Sequence, residues 1–437
     1  MRAPKPLLRP STLSLCLAGA LGLTPPSVHA AGDDARVQAR YQHRLDQRRL
    51  RLAGPIERVP APAPTRVGAI LPVTSCADDG SAGTLRSVIA AAGENDTIDM
   101  RALACGTIVL TQGEIDISVL GDHPINNLTL IGPGRDALVI DANDDRFLYH
   151  AQFQSGVAQL ALRDLTIRNG RYAHGLASCI DSSGDVSLTR VTISDCHASN
   201  GGPLTFGGAV SVSGDLALVD STITGSSSSA GGDNVAIGGG AYVTGNLSLV
   251  DSTISGNTAR SIIGDDGPTY LTAGGGAYVR GELSMTRSTI SGNTVEATGT
   301  GEAATGAGLF VRDTAVLVDS TIDGNIADGS GGGIAKAAFS VYGDPGTTLT
   351  LRNTTISGNA AASGAAIASA RPLTLANSTV SANVASDGGA VLFAPDGTPS
   401  ATFTLQSTIV AANTASAGAA LPADLASTGT LTVSGAD

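Results

Sequence analysis

The chain has no Trp, and only 3% of its residues are aromatic and 15% charged, against about 25% charged in ordinary globular domains. Small and β-branched residues stand in place of large rings, which suits a core of thin repeating layers. Lysine is almost missing, since after Lys5 the only one is Lys336. No histidine lies beyond His197, so the rest of the chain holds no imidazole base. Beyond the N-terminal region no run of about 18 apolar residues occurs, which excludes a helical membrane span there. In contrast, 42% of the residues are hydrophobic and 56 are Gly. That content argues for a packed fold rather than disorder.

Residues 1–30 read as a secretory signal: Arg2, Lys5 and Arg9 open it, Ser11–Leu23 is apolar, and Val28-His29-Ala30 ends it on small residues. A lipoprotein cysteine at Cys16 would need a small residue before it, and Leu15 stands there. The expectation is export, to the extracellular space or outer surface of a bacterium. Residues 31–72 form an Arg- and Pro-rich linker. Arg36, Arg40, Arg44 and Arg48 share one face if the segment is helical, and Pro55, Pro60, Pro62 and Pro64 stiffen its second half. A solvated helix or spacer is the plain reading of the Arg stripe, and contact with anionic lipid the alternative.

Charge separates by segment. Residues 31–75 hold eight Arg against four acidic residues, whereas 76–437 hold 15 basic and 34 acidic groups. So acidic a body repels nucleic acid and anionic membrane, and disfavours acidic polysaccharide unless cations bridge.

Once the signal is removed, Cys76, Cys105, Cys179 and Cys196 remain. Four cysteines in an exported chain suggest disulfides, with three possible connectivities. Cys76–Cys105 and Cys179–Cys196 are favoured because each pair lies within one local unit. Zinc is the weaker alternative, with no C-x-x-C and only His197 beside a thiol.

Residues 73–127 differ in pattern from the rest of the body. Thr84 to Ala92 has helical spacing and Gly93 stops it, with strand-like segments at Thr107–Thr111 and Ile115–Val119. A short helix ahead of stacked repeats is expected to cover the apolar mouth of the first coil.

From residue 128 onward a motif recurs, L-x-L-x-x-[ST]-[TI]-[IV]-x-x-N. Its Ile or Val anchors are Ile167, Ile193, Ile223, Ile254, Ile290, Ile322, Ile356, Val380 and Val410, at spacings of 26, 30, 31, 36, 32, 34, 24 and 30. A constant motif with variable length between copies is what fixed strands and variable loops produce. Period-two alternation and abundant Gly exclude helical repeats. The expected fold is all-β, a right-handed single-stranded parallel β-helix over 128–437 with a short N-terminal helical cap. The sequence ends at Asp437 in mid-coil, which suggests truncation.

Stacking places equivalent residues about 4.8 Å apart, and three columns result. Asn257, Asn293, Asn325, Asn359, Asn383 and Asn413 are expected at a left-handed corner, each hydrogen-bonding its counterpart one coil away. Tyr242, Tyr278 and Phe310 should stack beside a Gly run, filling or covering a corner, or offering an aromatic face to sugars. Three residues before the anchors run Asp164, Arg190, Asp220, Asp251, Arg287, Asp319, Asn353 and Asn377. Charge pairing accounts for this column. Asp220 and Asp251, adjacent and alike in charge, are also a candidate Ca²⁺ site, and Asp141–Asp145 is a second. No other cofactor is implied.

Gly207-Gly208-Ala209-Val210 and Gly388-Gly389-Ala390-Val391 resemble the G-G-A-[ILV] motif of polymorphic outer-membrane protein repeats. Ile254-Ser255-Gly256-Asn257 and its equivalents are similar to the partner F-x-x-N, with Ile or Val for Phe. The segment Gly83-Thr84-Leu85-Arg86-Ser87-Val88 resembles the opening of CSLREA-type β-helix proteins, and residues 73–437 look like the pectin-lyase-like superfamily. The resemblance implies a secreted or cell-surface protein with an adhesive role, contacting a surface glycan or protein.

Enzymes of that architecture use N-T-D, D-D, G-H-G and R-I-K, or R-x-P-x-x-R; of these only D-D occurs, at Asp78-Asp79, Asp144-Asp145 and Asp265-Asp266, in the cap or in loops. No catalytic residue is therefore assigned. Neither a phosphate-binding G-x-x-x-x-G-K-[ST] nor the Ca²⁺-binding nonapeptide is present. The expected function is non-enzymatic binding through the long side and the variable loops Ser226–Ile237, Ala259–Ala273 and Val295–Thr305, with a polysaccharide-active enzyme as the alternative.

Overall fold

The computed structural model describes residues 67–118, 125–150, 158–173, 175–200, 204–231, 235–262, 271–298, 303–336, 347–395, 401–416, 419 and 422–434. The signal, the Arg stripe, the proline-rich linker to residue 66 and Val119 lie outside them.

The fold is an all-β parallel β-helix. Every strand pairing among the described residues is parallel, and equivalent strands of successive coils are joined in register. One coil shows the plan. Ala241–Val243 lies in an eleven-stranded sheet, Leu247–Val250 and Thr253–Ser255 in a twenty-two-stranded one, and Thr258–Ile262 in a nine-stranded one. A short return strand, Leu271–Ala273, leads to the next coil at Ala277–Val279.

Each position of the repeat has its own structural task. Leu247, Leu249 and Ile254 point into the lumen and are buried. Asp251 then turns the chain with φ 51°, as its counterparts from Asp164 to Ser407 do. Ser252 is buried, accepts the N–H of Ser221 and donates to the carbonyl of Val250, so the serines form a ladder of their own. A second left-handed residue, Gly256, precedes Asn257.

The asparagines differ here from the expectation. The hydrogen bonding between counterparts is present, but the left-handed conformation belongs to the residue before each Asn: Gly256, Gly292, Gly324, Gly358, Ala382 and Ala412. The Asn side chains point inward and are buried. Their amides link coil to coil, as in Asn257 Nδ2 donating to Asn293 Oδ1 at 3.0 Å.

The reason Gly runs face this column is steric. A Cβ on Gly240, Gly276 or Gly308 would sit 3.0–3.1 Å from the amide carbon of Asn257, Asn293 or Asn325 in the same coil. In the coil of residues 179–196, the same two positions are Cys179 and Cys196, joined as a disulfide with both sulfurs in the core. The second disulfide is Cys76–Cys105. Both pairs match the favoured connectivity, and bonded thiols leave no zinc site there.

Deleting the internal disulfide should destabilise by about 3 kcal/mol, because it closes a loop of under twenty residues. The double variant Cys179→Gly, Cys196→Asn should recover part of that loss by continuing the Gly–Asn contact, as read by denaturant midpoints against the double alanine variant. Equal midpoints would refute the equivalence.

At the N-terminal end, parallel pairing reaches back to Ile70–Pro72, which joins Asp96–Asp99. Ile70–Pro72 falls at the end of the segment read as linker, and within the cap segment Asp96–Asp99 adds a strand to those expected, which form at Thr107–Val109 and Ile115–Asp116. Its helix, α1 (Leu85–Ala91), has Thr84 as N-cap and buries Leu85 and Ile89 in the core. Arg86 fastens it, with 2.8 and 2.6 Å bonds to the carbonyls of Glu114 and Gly113 and an ion pair to Asp78. Burial pushes the Asp78 carboxyl up, but hydrogen bonds from Arg86 and the N–H groups of Gln112 and Thr111 outweigh it and hold it low.

Candidate functional site

The loops expected to build a joint surface are largely strands. Ser227–Gly231, Thr258–Ile262 and Thr294–Thr298 pair in register, and Val235–Ile237, Leu271–Ala273 and Ala303–Thr305 form a short returning sheet with Leu204–Phe206. Between these layers lies a second apolar cluster, built from Ala259, Val295, Ala304 and other alanines.

The aromatic column is buried, with Tyr242 8%, Tyr278 7% and Phe310 1% exposed. Its rings stack, with centroids 5.6 and 4.9 Å apart, and Phe206 from the short sheet closes one end at 4.6 Å. So well covered a ladder offers no face to a sugar; it holds two β layers together.

The Asp–Arg column is exposed and paired. Arg190 binds Asp164 through two nitrogens, Arg287 binds Asp251 at 2.7 and 2.8 Å, and Asn353 donates to Asp319. Asp220 is held instead by Arg135 at 2.6 Å. Both carboxylates of the candidate Ca²⁺ pair therefore already face guanidiniums. Among the described residues no three His, Cys, Asp or Glu side chains gather as a metal would need. The loop 141–145 is similarly occupied: Asp141 accepts from Arg168 and Asn169, Asp144 pairs with Arg171, and Asp145 accepts the N–H of Arg146.

The left-handed backbone explains why Asp and Asn recur in this column, because they tolerate positive φ far better than Arg. Arg287→Asn should consequently leave the denaturation midpoint unchanged, relief of its φ of 47° offsetting the loss of an exposed pair. A clear drop would show that the pair contributes more than exposed pairs do.

The remaining site lies N-terminal to the aromatic column, on the same row of outward positions. Its outward positions run Asp116, Tyr149, Asp181, Ser211, Tyr242, Tyr278 and Phe310 in register. From Asp181 onward they are buried, whereas Tyr149 is half-buried and Asp116 exposed. Beneath them sits Arg146, 2% exposed. Its guanidinium carbon is 3.6 Å from the ring centre of Tyr172 and 4.8 Å from that of Tyr149. Its Nε stands 3.5 Å from Glu114 Oε2, and its Nη1 3.5 Å from Asp181. These contacts are longer than hydrogen bonds, and neither Arg146 Nε nor Glu114 Oε2 makes one elsewhere.

Burial pushes the Glu114 carboxyl up; Arg146 opposes this, and Asp116, Asp145 and Asp181 add to it. The chain matches no family model, no curated protein and no solved structure. Geometry alone therefore defines the site: half-exposed carboxylate and aromatic groups held around one buried cation.

Sequence reasoning missed this cluster because its members come from three successive coils and share no motif. The signal that was present is registration: Ile115-Asp116, Leu148-Tyr149 and Ile180-Asp181 align with Ala241-Tyr242.

Proposed function

We propose that the chain is an exported, non-enzymatic β-helix that acts as an adhesin-like or envelope-surface binding module on a bacterial cell, contacting a surface glycan or protein. The supporting observation is the division of labour among its columns. Asn, Ser, Leu, Ile and the aromatic ladder are engaged inside the stack, the Asp–Arg column is engaged with itself and with Arg135, and the half-buried Tyr149 and Tyr172 stand with the exposed Asp116 on the first coils. Two disulfides fit an oxidising compartment. No helix among the described residues is long and apolar enough to cross a membrane. The resemblance to polymorphic outer-membrane protein repeats, to CSLREA-type openings and to the pectin-lyase-like superfamily belongs to this reading.

An array of glycans and host-cell surface proteins tests it, with retention of the full mature chain as the expected result and absence of any retention as the refutation. The enzyme reading has one observation in its favour, that Glu114 and Asp181 flank a single guanidinium and Glu114 is pushed up, as an acid catalyst requires. Release of reducing ends or unsaturated products from a polysaccharide panel, abolished by Glu114→Gln, would replace binding with catalysis.

A further inference from the structure

We propose that the outer face of the first coils, bounded by Glu114, Asp116, Tyr149 and Tyr172, binds a sugar ring bearing an amino group, with Arg146 as its positioning residue. The inference rests on the binding reading and names the ligand class for that site.

The geometry is that of a built site rather than a solvated patch. A guanidinium shut away from water lies against two tyrosine rings, fixing both while leaving each half-buried. Rigid aromatic rings beside hydrogen-bond acceptors suit a saccharide, whose C–H face packs on a ring and whose hydroxyls need acceptors. Arg146 stands 3.5 Å from a carboxylate oxygen of Glu114 and of Asp181, and its Nε and Glu114 Oε2 are buried without a hydrogen bond. Buried polar atoms left this way cost stability, which marks sites whose groups serve something other than folding.

Charge selects the class. Asp116, Asp145 and Asp181 add negative charge around Glu114 and Arg146 opposes them, while Arg86, which donates to the carbonyls of Gly113 and Glu114, is already paired with Asp78. Arg171, nearby in sequence, is paired with Asp144 at 2.6 Å. Carboxylates in excess attract an ammonium group and repel a uronic acid, sialic acid or sulfated sugar. The exposed position of Asp116 places one acceptor at the mouth, where an amino group would arrive first.

Calorimetric titration of the full mature chain with three probes tests this: a glucosamine hexamer, cellohexaose and hexagalacturonate. The glucosamine hexamer should bind, weaken with added salt and outcompete cellohexaose, while hexagalacturonate gives no heat. Tyr149→Ala and Asp116→Asn should each weaken the hexamer about tenfold. Asp116 is exposed, so its variant keeps the test valid if Tyr149→Ala fails to fold. Equal binding of hexagalacturonate, or hexamer binding untouched by both substitutions, overturns the site. Retention of other surface ligands on the array with no response to the hexamer overturns the site and leaves the binding reading standing. No retention of any ligand overturns both.

Discussion

Asn293→Ala should cost about 4 kcal/mol, a large loss for a substitution that touches no surface. Asn293 lies in the middle of the buried ladder. Its Oδ1 accepts the backbone N–H and the Nδ2 of Asn257, each at 3.0 Å, and its Nδ2 donates to the carbonyl of Ile254 and to Asn325 Oδ1. Truncation leaves the Asn257 N–H and the Ile254 carbonyl buried without those partners, at roughly 1–3 kcal/mol for each. Water cannot easily replace the amide, because Gly276 packs so closely over it that a Cβ there would lie 3.0 Å from the Asn293 amide.

Asn293→Ser should lose less, since Ser226 fills the same column and its hydroxyl accepts the N–H of Cys196. In a stack whose coils contact only their neighbours, the damage falls on one interface, so denaturation should broaden or split into two steps. Urea titration followed by far-UV circular dichroism reads both effects. A loss under about 1 kcal/mol would mean that the ladder is ornament to the packing of Ile254 and Ile290.

The repeat made much of this legible. Alternation in Leu247-Ser248-Leu249 assigned lumen and solvent correctly, because a strand has two faces and only one can be buried here. Spacing placed Asn257 on Asn293, and locality paired the cysteines. Backbone dihedrals were not legible. Asn and Gly both tolerate positive φ, so the pair Gly256-Asn257 could have turned at either residue, and it turns at the glycine. Nor were the returning strands legible, because short runs such as Ala303–Thr305 carry too few residues for a period to show. Arg146 was hidden for another reason. Nothing in one sequence says that an arginine will be enclosed by tyrosines from its own and a later coil.

Lys336 shows the same limit with a larger consequence. It was visible as the chain's lone lysine beyond the signal, yet its register assigns it to the lumen, one coil after Val311 and one before Ser369. It is 1% exposed, and its Nζ donates to the carbonyl of Arg312 at 2.7 Å and to Thr347 Oγ1 at 3.4 Å. Burial lowers the amine to about 7; Asp313 opposes this, and Arg371 and Arg312 reinforce it. A free lysine titrates near 10.4, so between about pH 7 and 10 the unfolded chain binds a proton that the folded chain does not. Stability of the natural chain should therefore rise with pH through that window and be flat below it.

Lys336→Met keeps the stem's volume and removes the penalty. At pH 7 it should stabilise by roughly 2 kcal/mol, the relief of about 4 kcal/mol being partly offset by an unbonded Arg312 carbonyl. By pH 9.5 the relief should fall to about 1 kcal/mol, because the unfolded lysine is itself close to losing its proton, so the unbonded carbonyl should leave the variant slightly the less stable of the two. Denaturant midpoints of both proteins at pH 6, 7, 8, 9 and 9.5 decide it. Parallel pH profiles for the two would show that Lys336 keeps its proton in the fold.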